Sequence, residues 1–565
     1  MFDSLPRDAT GTREWKWAQF EPYYTDLAER TVDEGTVSLF LSDWTRLSEL
    51  LDETYSRLYV ATTVNTADES AEELFHGFLD QVYPQAEEAE QKLREKIVAQ
   101  QKVPPGFEIA LRKMRVDVEL FREENLPLKT EEQKLGTQYD KIMGPQTVEW
   151  DGNEVTLVQL RPVYQDVDRA KRERAWRTAA QRQIQDRKAI GDLWKKFLEL
   201  RTSMATNAGF DDYRSFRWQE MHRFDYSPDD CMAFHRAIEE AVVPAAERLA
   251  EKRRSDLGID RLFPWDTIVD PLGRPALAPF KEASELKTGT ASMFHGLDPR
   301  LGSHFDTMVN EGLLDLENRK NKAPGGYCID FAAAKRPFIF MNAVGMHDDV
   351  QTLLHESGHS FHTFERAALP YYQQRLVGME FAEVASMAME LLASSRLSKE
   401  KGGFYNEADA TRAFAEHLER NIQFWPFMAA VDAFQHWVYE NPEEAGDLEN
   451  CDEQWKHVAQ RFITWVDWTG LEEEMKNGWQ TKPHIHVVPF YYVEYGLAQL
   501  GAVQIWANAL KDLDSAVAAY LDALALGGTV SLPDLFSRAG AKFAFDVQTL
   551  KSAVSLMEDA LESLK

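Results

Sequence analysis

The chain has 565 residues and a formal net charge of −30, because 93 Asp and Glu outnumber 63 Lys and Arg. Hydrophobic residues make up 44% and charged residues 28%, a composition that indicates a folded globular protein and excludes a disordered one. Such acidity argues against nucleic acid as a partner, since that binding needs a basic face. No apolar stretch is long and unbroken enough to predict a membrane span.

The N-terminal sequence MFDSLPRDATGTREWKW carries charges from Asp3 onward and has no apolar run, so no signal peptide is expected. Only three cysteines occur, and an odd, widely spaced set predicts free thiols rather than disulfides. Both features predict a cytoplasmic protein. The most basic run, residues 168–183, alternates Arg and Lys with Ala, Asp and Glu, and is predicted to be a solvated helix.

The first two hundred residues show the apolar periodicity of long helices, most clearly in 71–101 and in 186–209. One exception is 147–160, where apolar residues alternate around Asp151-Gly152 and predict a β-hairpin. We therefore expect residues 1–180 to form an N-terminal helical region with a small hairpin.

A short β region is predicted in the middle of the chain. Prolines make 263–280 irregular, either a domain boundary or an active-site loop. Two runs rich in β-branched and aromatic residues follow, 325–331 and 336–345, and helical patterns then continue from Asp348 to the end. The predicted fold is mostly α, with a small β-sheet next to the helix that follows it.

That helix contains the sequence LLHESGHSFHTFE, residues 353–365, which reads H-E-x-x-H. His355 and His359 lie on one face and can reach one zinc ion, while Glu356 can accept a proton from water. The metzincin position for a third histidine holds Glu365, and His362 is about 10 Å along the axis from His355. The alternative interpretation is an ordinary helix face that binds no metal. If zinc does bind, a further protein ligand must come from another part of the chain.

Carboxylates on a later apolar helix are candidates for that ligand. Residues 378–397, GMEFAEVASMAMELLASSRL, contain Glu380, Glu383 and Glu390. Burying ionised carboxylates among apolar residues is costly without a cation, which favours a functional role. Spacing alone does not rank the three.

The motif H-E-S-G-H followed by F-A-E-V-A-S-x-x-x-E resembles the zinc oligopeptidases of the thimet oligopeptidase and oligoendopeptidase F family. The resemblance extends over about residues 180–565 and implies a catalytic domain at 181–565. It further implies zinc held by His355, His359 and Glu383, with Glu390 orienting a ligand. The family fold has two helical lobes that enclose a deep channel, which would admit short unfolded peptides.

A second segment, HIHVVPFYYVEYGLAQL at 484–500, resembles the His-then-Tyr helix of the family, most closely in its Pz-peptidase-like bacterial members. The resemblance implies that His484, Tyr492 and Tyr495 donate hydrogen bonds to the oxyanion of the substrate. His486 and Tyr491 are alternative donors at these positions. An aromatic core stripe is the competing interpretation of the tyrosines.

The implied activity is a zinc endopeptidase that acts on oligopeptides, with Glu356 as the general base. The segment RPFIFMNAVG is expected to bind the peptide as an added strand. A zinc carboxypeptidase of similar build and a non-catalytic helical peptide-binding protein are the alternatives.

Overall fold

The computed structural model describes residues 1–100 and 102–564, which are mostly helical. The N-terminal helices are α1 (Trp17–Glu29), α2 (Val37–Val64), α3 (Glu69–Gln81), α4 (Tyr83–Val98), α5 (Glu108–Leu120), α6 (Asn125–Met143), α7 (Leu157–Leu160), α8 (Arg169–Gln185) and α9 (Arg187–Asn207). The middle helices are α10 (Tyr213–Glu220), α11 (Pro228–Ala241), α12 (Val243–Asp256), α13 (Ala283–Leu297), α14 (Pro299–Asn310), α15 (His347–Arg366), α16 (Tyr372–Arg375), α17 (Met379–Ala393) and α18 (Glu407–Glu440). The C-terminal helices are α19 (Pro442–Ala445), α20 (Leu448–Phe462), α21 (Glu472–Lys476), α22 (Pro483–His486), α23 (Tyr492–Ala509), α24 (Leu513–Leu524), α25 (Leu532–Arg538) and α26 (Val547–Ser563). Short 3₁₀ turns occupy Phe2–Ser4, Arg161–Gln165, Pro264–Asp266, Ser394–Arg396, Lys399–Lys401 and Asn477–Thr481.

Two small sheets accompany the helices. The predicted hairpin forms from β1 (Thr147–Trp150) and β2 (Asn153–Thr156), paired antiparallel. Its turn residues Asp151 and Gly152 both have positive φ, which the two-residue hairpin turn requires. The hairpin prediction holds to Thr156, whereas residues 157–160 form α7 instead of strand because the Thr156 hydroxyl caps that turn of helix.

The second sheet contains β3 (Leu314–Glu317), β4 (Tyr327–Phe331) and β5 (Arg336–Ala343), in the order β3-β5-β4. The strand β5 lies in the middle, parallel to β3 and antiparallel to β4. The expectation that this segment adds a substrate strand was therefore wrong, because both of its edges are already hydrogen-bonded. Within this sheet, β4 is an edge strand.

Helical lobes pack on both sides of a channel. The apolar core of the N-terminal lobe draws on α1 to α5 and on Tyr371, whereas the main core of the other lobe runs from Trp194 to Met557. The lobes also meet through polar contacts, among them Thr63 Oγ1 to the Tyr327 hydroxyl at 2.6 Å. The predicted fold class is confirmed, while the domain boundary at residue 180 stays a prediction.

The long helical pattern at 71–101 is interrupted at Val82, where Pro84 opens α4 at a position in which its missing N–H costs nothing. The basic run forms α8 but is more than a solvated helix, because Arg172 is buried and donates to Asp266 and to the Trp265 carbonyl. Across residues 1–100 and 102–564, no helix combines the length and apolar character that crossing a bilayer needs.

Candidate metal centre and channel

The helices α15 and α17 approach each other very closely at Gly358. A side-chain Cβ at this position would lie 2.4 Å from the Ala385 carbonyl oxygen and 2.5 Å from the Ser386 Cα. Only glycine fits there, so the glycine of H-E-S-G-H sets the distance between the two helices. This contact brings the carboxylates of α17 within reach of the histidines of α15.

Three side chains converge where the helices touch. One ligand atom each of His355, His359 and Glu383 lies within 4.8 Å of the other two. Glu383 Oε2 is 3.3 Å from His355 Nε2 and 3.5 Å from His359 Nε2. Two imidazole nitrogens and one carboxylate oxygen are a donor set that could hold a metal ion, and catalytic zinc sites with one open position use such sets.

Neighbouring groups hold these side chains in place. His355 Nδ1 donates to Glu390 Oε1 at 2.7 Å, which leaves Nε2 free to face the other two side chains. Ser386 Oγ donates to Glu383 Oε2 at 2.9 Å, and the Tyr491 hydroxyl donates to Glu383 Oε1 at 2.5 Å. Glu383 is therefore fixed from both sides.

The electrostatics of the cluster fit a cation. Burial opposes the charge of Glu383, yet the neighbouring His359 and His355 hold its pKa well below the ordinary value. Burial also opposes the charge of His355, but the hydrogen bonds that it donates to Glu383 and Glu390 raise its pKa well above the ordinary value. The carboxylates thus favour positive charge at the centre of the cluster, which a metal ion would supply.

Glu356 lies beside this cluster, on the next residue of α15 after His355. Its side chain is buried, and burial raises its pKa while His355 and His359 act in the opposite direction. A raised carboxylate pKa suits a group that must take a proton and give it back near neutral pH.

These side chains line a cavity of about 530 Å³. Its lining comes from α15, α17 and the edge strand β4, together with Asp52, Tyr55 and Ser56 of α2. A second cavity of about 480 Å³ shares Tyr372, Leu376, Val377, Met379 and Tyr491 with it. The cluster therefore faces the channel between the lobes.

Residues from the segment 484–500 also line the cavity. His484, Tyr491 and Tyr495 line it, and His484 Nε2 lies 3.2 Å from the Tyr495 hydroxyl. Burial lowers the pKa of His484 to about 4 and raises the pKa of Tyr495 well above the ordinary value. Both groups are therefore neutral near pH 7, and the hydrogen bond between them engages one of their two protons and leaves the other for donation.

Residues 163–554 match the sequence profile of peptidase family M3. The chain belongs to this family. Oligopeptidase PepF of Bacillus subtilis (strain 168) is 24% identical over 335 residues, which cover 57% of this chain and 47% of that protein. The chromosomal oligoendopeptidase F of Lactococcus lactis subsp. cremoris is 26% identical over 271 residues, 45% of this chain and 42% of that protein. The matched stretches thus span about half the length of these curated relatives.

The fold agrees with a solved structure of Pz peptidase A with an inhibitor. That structure superposes with a TM-score of 0.91 at 24% sequence identity, covering 100% of this chain and 99% of that one. At this identity the similarity shows the fold alone. The superposition covers the N-terminal helices as well as the residues that match the M3 profile.

In this M3 chain, some of the predicted His and Tyr residues line the cavity and others pack away from it. Tyr492 packs edge-on against Phe427 and against the rings of His484 and Tyr495, and its role at the oxyanion stays a prediction. Tyr491, an alternative in the sequence, occupies the cavity wall instead. His486 is fully buried and stacks with Tyr139.

The difference between Tyr491 and Tyr492 originates at Phe490. This residue has a positive φ of 66°, which is unfavourable for a bulky side chain. Gln435 accepts from its N–H, and Arg223 Nη2 donates to its carbonyl at 2.5 Å. The left-handed residue turns the chain just before α23, so Tyr491 precedes the helix and points into the cavity. Regular helical spacing, the only signal in the sequence, does not reveal this turn.

Proposed function

We propose that this chain is a zinc-dependent endopeptidase that hydrolyses short, unstructured oligopeptides in the channel between its lobes. The observation that carries the proposal is the convergence of His355, His359 and Glu383 beside Glu356 on the channel wall. Membership of family M3 and the names of the oligopeptidase relatives support the same activity. The three free cysteines fit a reducing, cytoplasmic location.

The residues present fit zinc, since the donor set and the free Nε2 of His355 suit this ion. His355, His359 and Glu383 would hold it. When bound, zinc would lower the pKa of a coordinated water and polarise the peptide carbonyl.

Glu356 accepts a proton from the attacking water and returns it to the leaving amine, so one buried carboxylate serves both halves of the reaction. Tyr495 and His484 donate hydrogen bonds to the carbonyl oxygen as negative charge develops on it. Tyr491 has a different role in this proposal, because its hydroxyl is bonded to Glu383. It orients the carboxylate ligand.

The edge strand β4 is the place where the substrate main chain would bind. It borders the cavity through Tyr327, Cys328, Ile329 and Asp330, and pairs with β5 on its other edge. Main-chain pairing of this kind tolerates many side chains, provided that the peptide is extended. A cavity of about 530 Å³ has no room for a folded protein.

The carboxypeptidase alternative needs a free cation near the metal to bind the terminal carboxylate of the substrate. The two arginines that line the cavity are already neutralised, Arg366 by Asp330 and Arg375 by Glu49. Lys335 also borders the cavity, but its amine is exposed near the Ala367 carbonyl oxygen, where solvent and salt screen its charge. This pairing favours cleavage at internal bonds.

Product mapping on a mixed pool of peptides tests the proposal. We expect mass spectrometry to find internal cuts in short peptides, and no cuts in a folded protein added to the same reaction. The same peptides with amidated C-termini should be cleaved at comparable rates, since no terminal carboxylate is recognised. Release of single C-terminal residues, abolished by amidation, would indicate a carboxypeptidase, and intact peptides would indicate a binding protein.

Substitution of Glu383 should remove the catalytic zinc. We expect Glu383→Gln to lose one equivalent of zinc and peptidase activity, because a neutral amide replaces an anionic ligand. Glu380→Gln is the matched control: Glu380 is buried on the same helix, but accepts from the Tyr226 hydroxyl at 2.7 Å instead of facing the histidines. Elemental analysis of both variants decides the assignment, which is wrong if Glu380→Gln loses the metal and Glu383→Gln retains it.

A further inference from the structure

A second group of metal-binding side chains lies outside the channel, between α11 and α18. Cys231 and His235 are four residues apart on α11, and Asp432 and His436 are four residues apart on α18. Residues at this spacing share one helix face, so each of the two helices presents two of these side chains to the other. The exposed fractions are 0% for Cys231 and Asp432 and 2% for the two histidines.

Three donor atoms from the two helices are close together. One ligand atom each of Cys231, Asp432 and His436 lies within 4.8 Å of the other two. Asp432 Oδ2 is 3.4 Å from His436 Nε2 and 2.8 Å from His235 Nε2. The distance between the Asp432 oxygen and the His436 nitrogen is similar to the carboxylate-to-imidazole distances at the channel site, which are 3.3 Å and 3.5 Å.

The hydrogen bonds within this group do not satisfy its members. Asp432 Oδ1 and His436 Nε2 are buried and lack a hydrogen-bond partner among the described residues. Each unsatisfied buried polar atom costs about 1–3 kcal/mol, so such atoms are uncommon in a folded core. Both atoms lie in the space between the two helices, where a ligand would bind them.

We propose that Cys231, Asp432 and His436 bind a second, structural zinc ion that links α11 to α18. One sulfur, one imidazole nitrogen and one carboxylate oxygen are ligands that zinc accepts. His235 donates to Asp432 Oδ2 and holds this carboxylate in place. Cys231 binds as the thiolate and its proton is released to solvent. The three ligands are buried between the helices and outside the channel, so the site holds the helices together and takes no part in hydrolysis.

The alternative to a metal site is a hydrogen-bonded network in which both histidines donate to Asp432. Arg214 Nη1 lies 3.3 Å from His436 Nδ1 and also pairs with Glu440. If Arg214 donates to Nδ1, His436 carries its proton on Nε2 and cannot bind metal there. The two arrangements therefore differ in a measurable property, which is whether the Cys231 sulfur contacts a metal.

Cobalt spectroscopy tests this contact directly. Protein produced with cobalt in place of zinc in the growth medium should show thiolate-to-cobalt charge-transfer absorption, since the proposed channel site has no sulfur ligand. Cys231→Ser should abolish the band. Cys328→Ser, which removes the thiol that borders the channel cavity, should leave it unchanged. Absence of the band in the wild-type protein, or its loss in Cys328→Ser alone, would overturn the proposal.

Zinc stoichiometry gives a second test that does not require Cys231→Ser to fold. We expect two zinc ions per wild-type chain and one in His355→Ala, in which the channel site loses a ligand. Zinc-free His355→Ala would overturn the second site. A wild-type protein with the thiolate–cobalt band but a single metal would leave this site standing and contradict the zinc proposal for the channel.

Discussion

Glu356→Gln is expected to lower kcat by about 10²–10⁴, the usual contribution of a general acid–base group. The amide has nearly the shape of the carboxylate but cannot accept a proton from water. Glu356 is buried on the cavity wall next to two histidines, so no bulk water replaces it as the base. Initial rates on one fluorogenic peptide, for wild type and variant at matched zinc content, measure the effect.

Glu365→Gln is the matched control, because it makes the same chemical change two turns and more along α15. Glu365 contacts His304 at 3.1 Å and Arg300 at 3.3 Å instead of lining the cavity. Its variant should retain wild-type kcat. Near-normal hydrolysis by Glu356→Gln with full zinc would remove this residue from the mechanism.

The grouping of His355, His359 and Glu383 could be anticipated in part because the spacing on each helix is local. His359 follows His355 by four positions and Glu390 follows Glu383 by seven, so each pair lies on one helix face whatever the tertiary structure. The structure places the two carboxylates against the two nitrogens of His355. The choice of Glu383 over Glu380 depended on the family resemblance, because spacing does not say which face of α17 packs on α15.

Other features depend on long-range contacts and could not be predicted. The central place of β5 results from pairing with β3, a strand of four residues whose sequence gives little signal of its own. The position of Tyr491 depends on the positive φ of Phe490, which Arg223 and Gln435 stabilise from distant parts of the chain. Neither contact is visible in local periodicity.

Tyr495→Phe is expected to lower kcat by about 10–10³ while leaving KM little changed, which is the effect of losing one oxyanion donor. Its hydroxyl lines the cavity beside His484 and would bind the substrate oxygen most strongly when that oxygen is charged. Steady-state kinetics on the same peptide separate the two parameters. An unchanged kcat would show that Tyr495 is an aromatic core residue with no part in catalysis.

The neighbouring tyrosines serve as internal controls, because the same loss of one hydroxyl should act differently at each position. Tyr492→Phe should behave as wild type, since its ring packs against Phe424 and Phe427. Tyr491→Phe removes the 2.5 Å hydrogen bond to Glu383 and should weaken zinc binding by about 10–100-fold, the usual effect of losing a group that orients a metal ligand. Zinc titration in a metal buffer measures this loss, and excess zinc should restore most of the activity of Tyr491→Phe but none of that of Tyr495→Phe. If excess zinc leaves Tyr491→Phe inactive, its hydroxyl acts on the substrate and the roles of the two tyrosines must be exchanged.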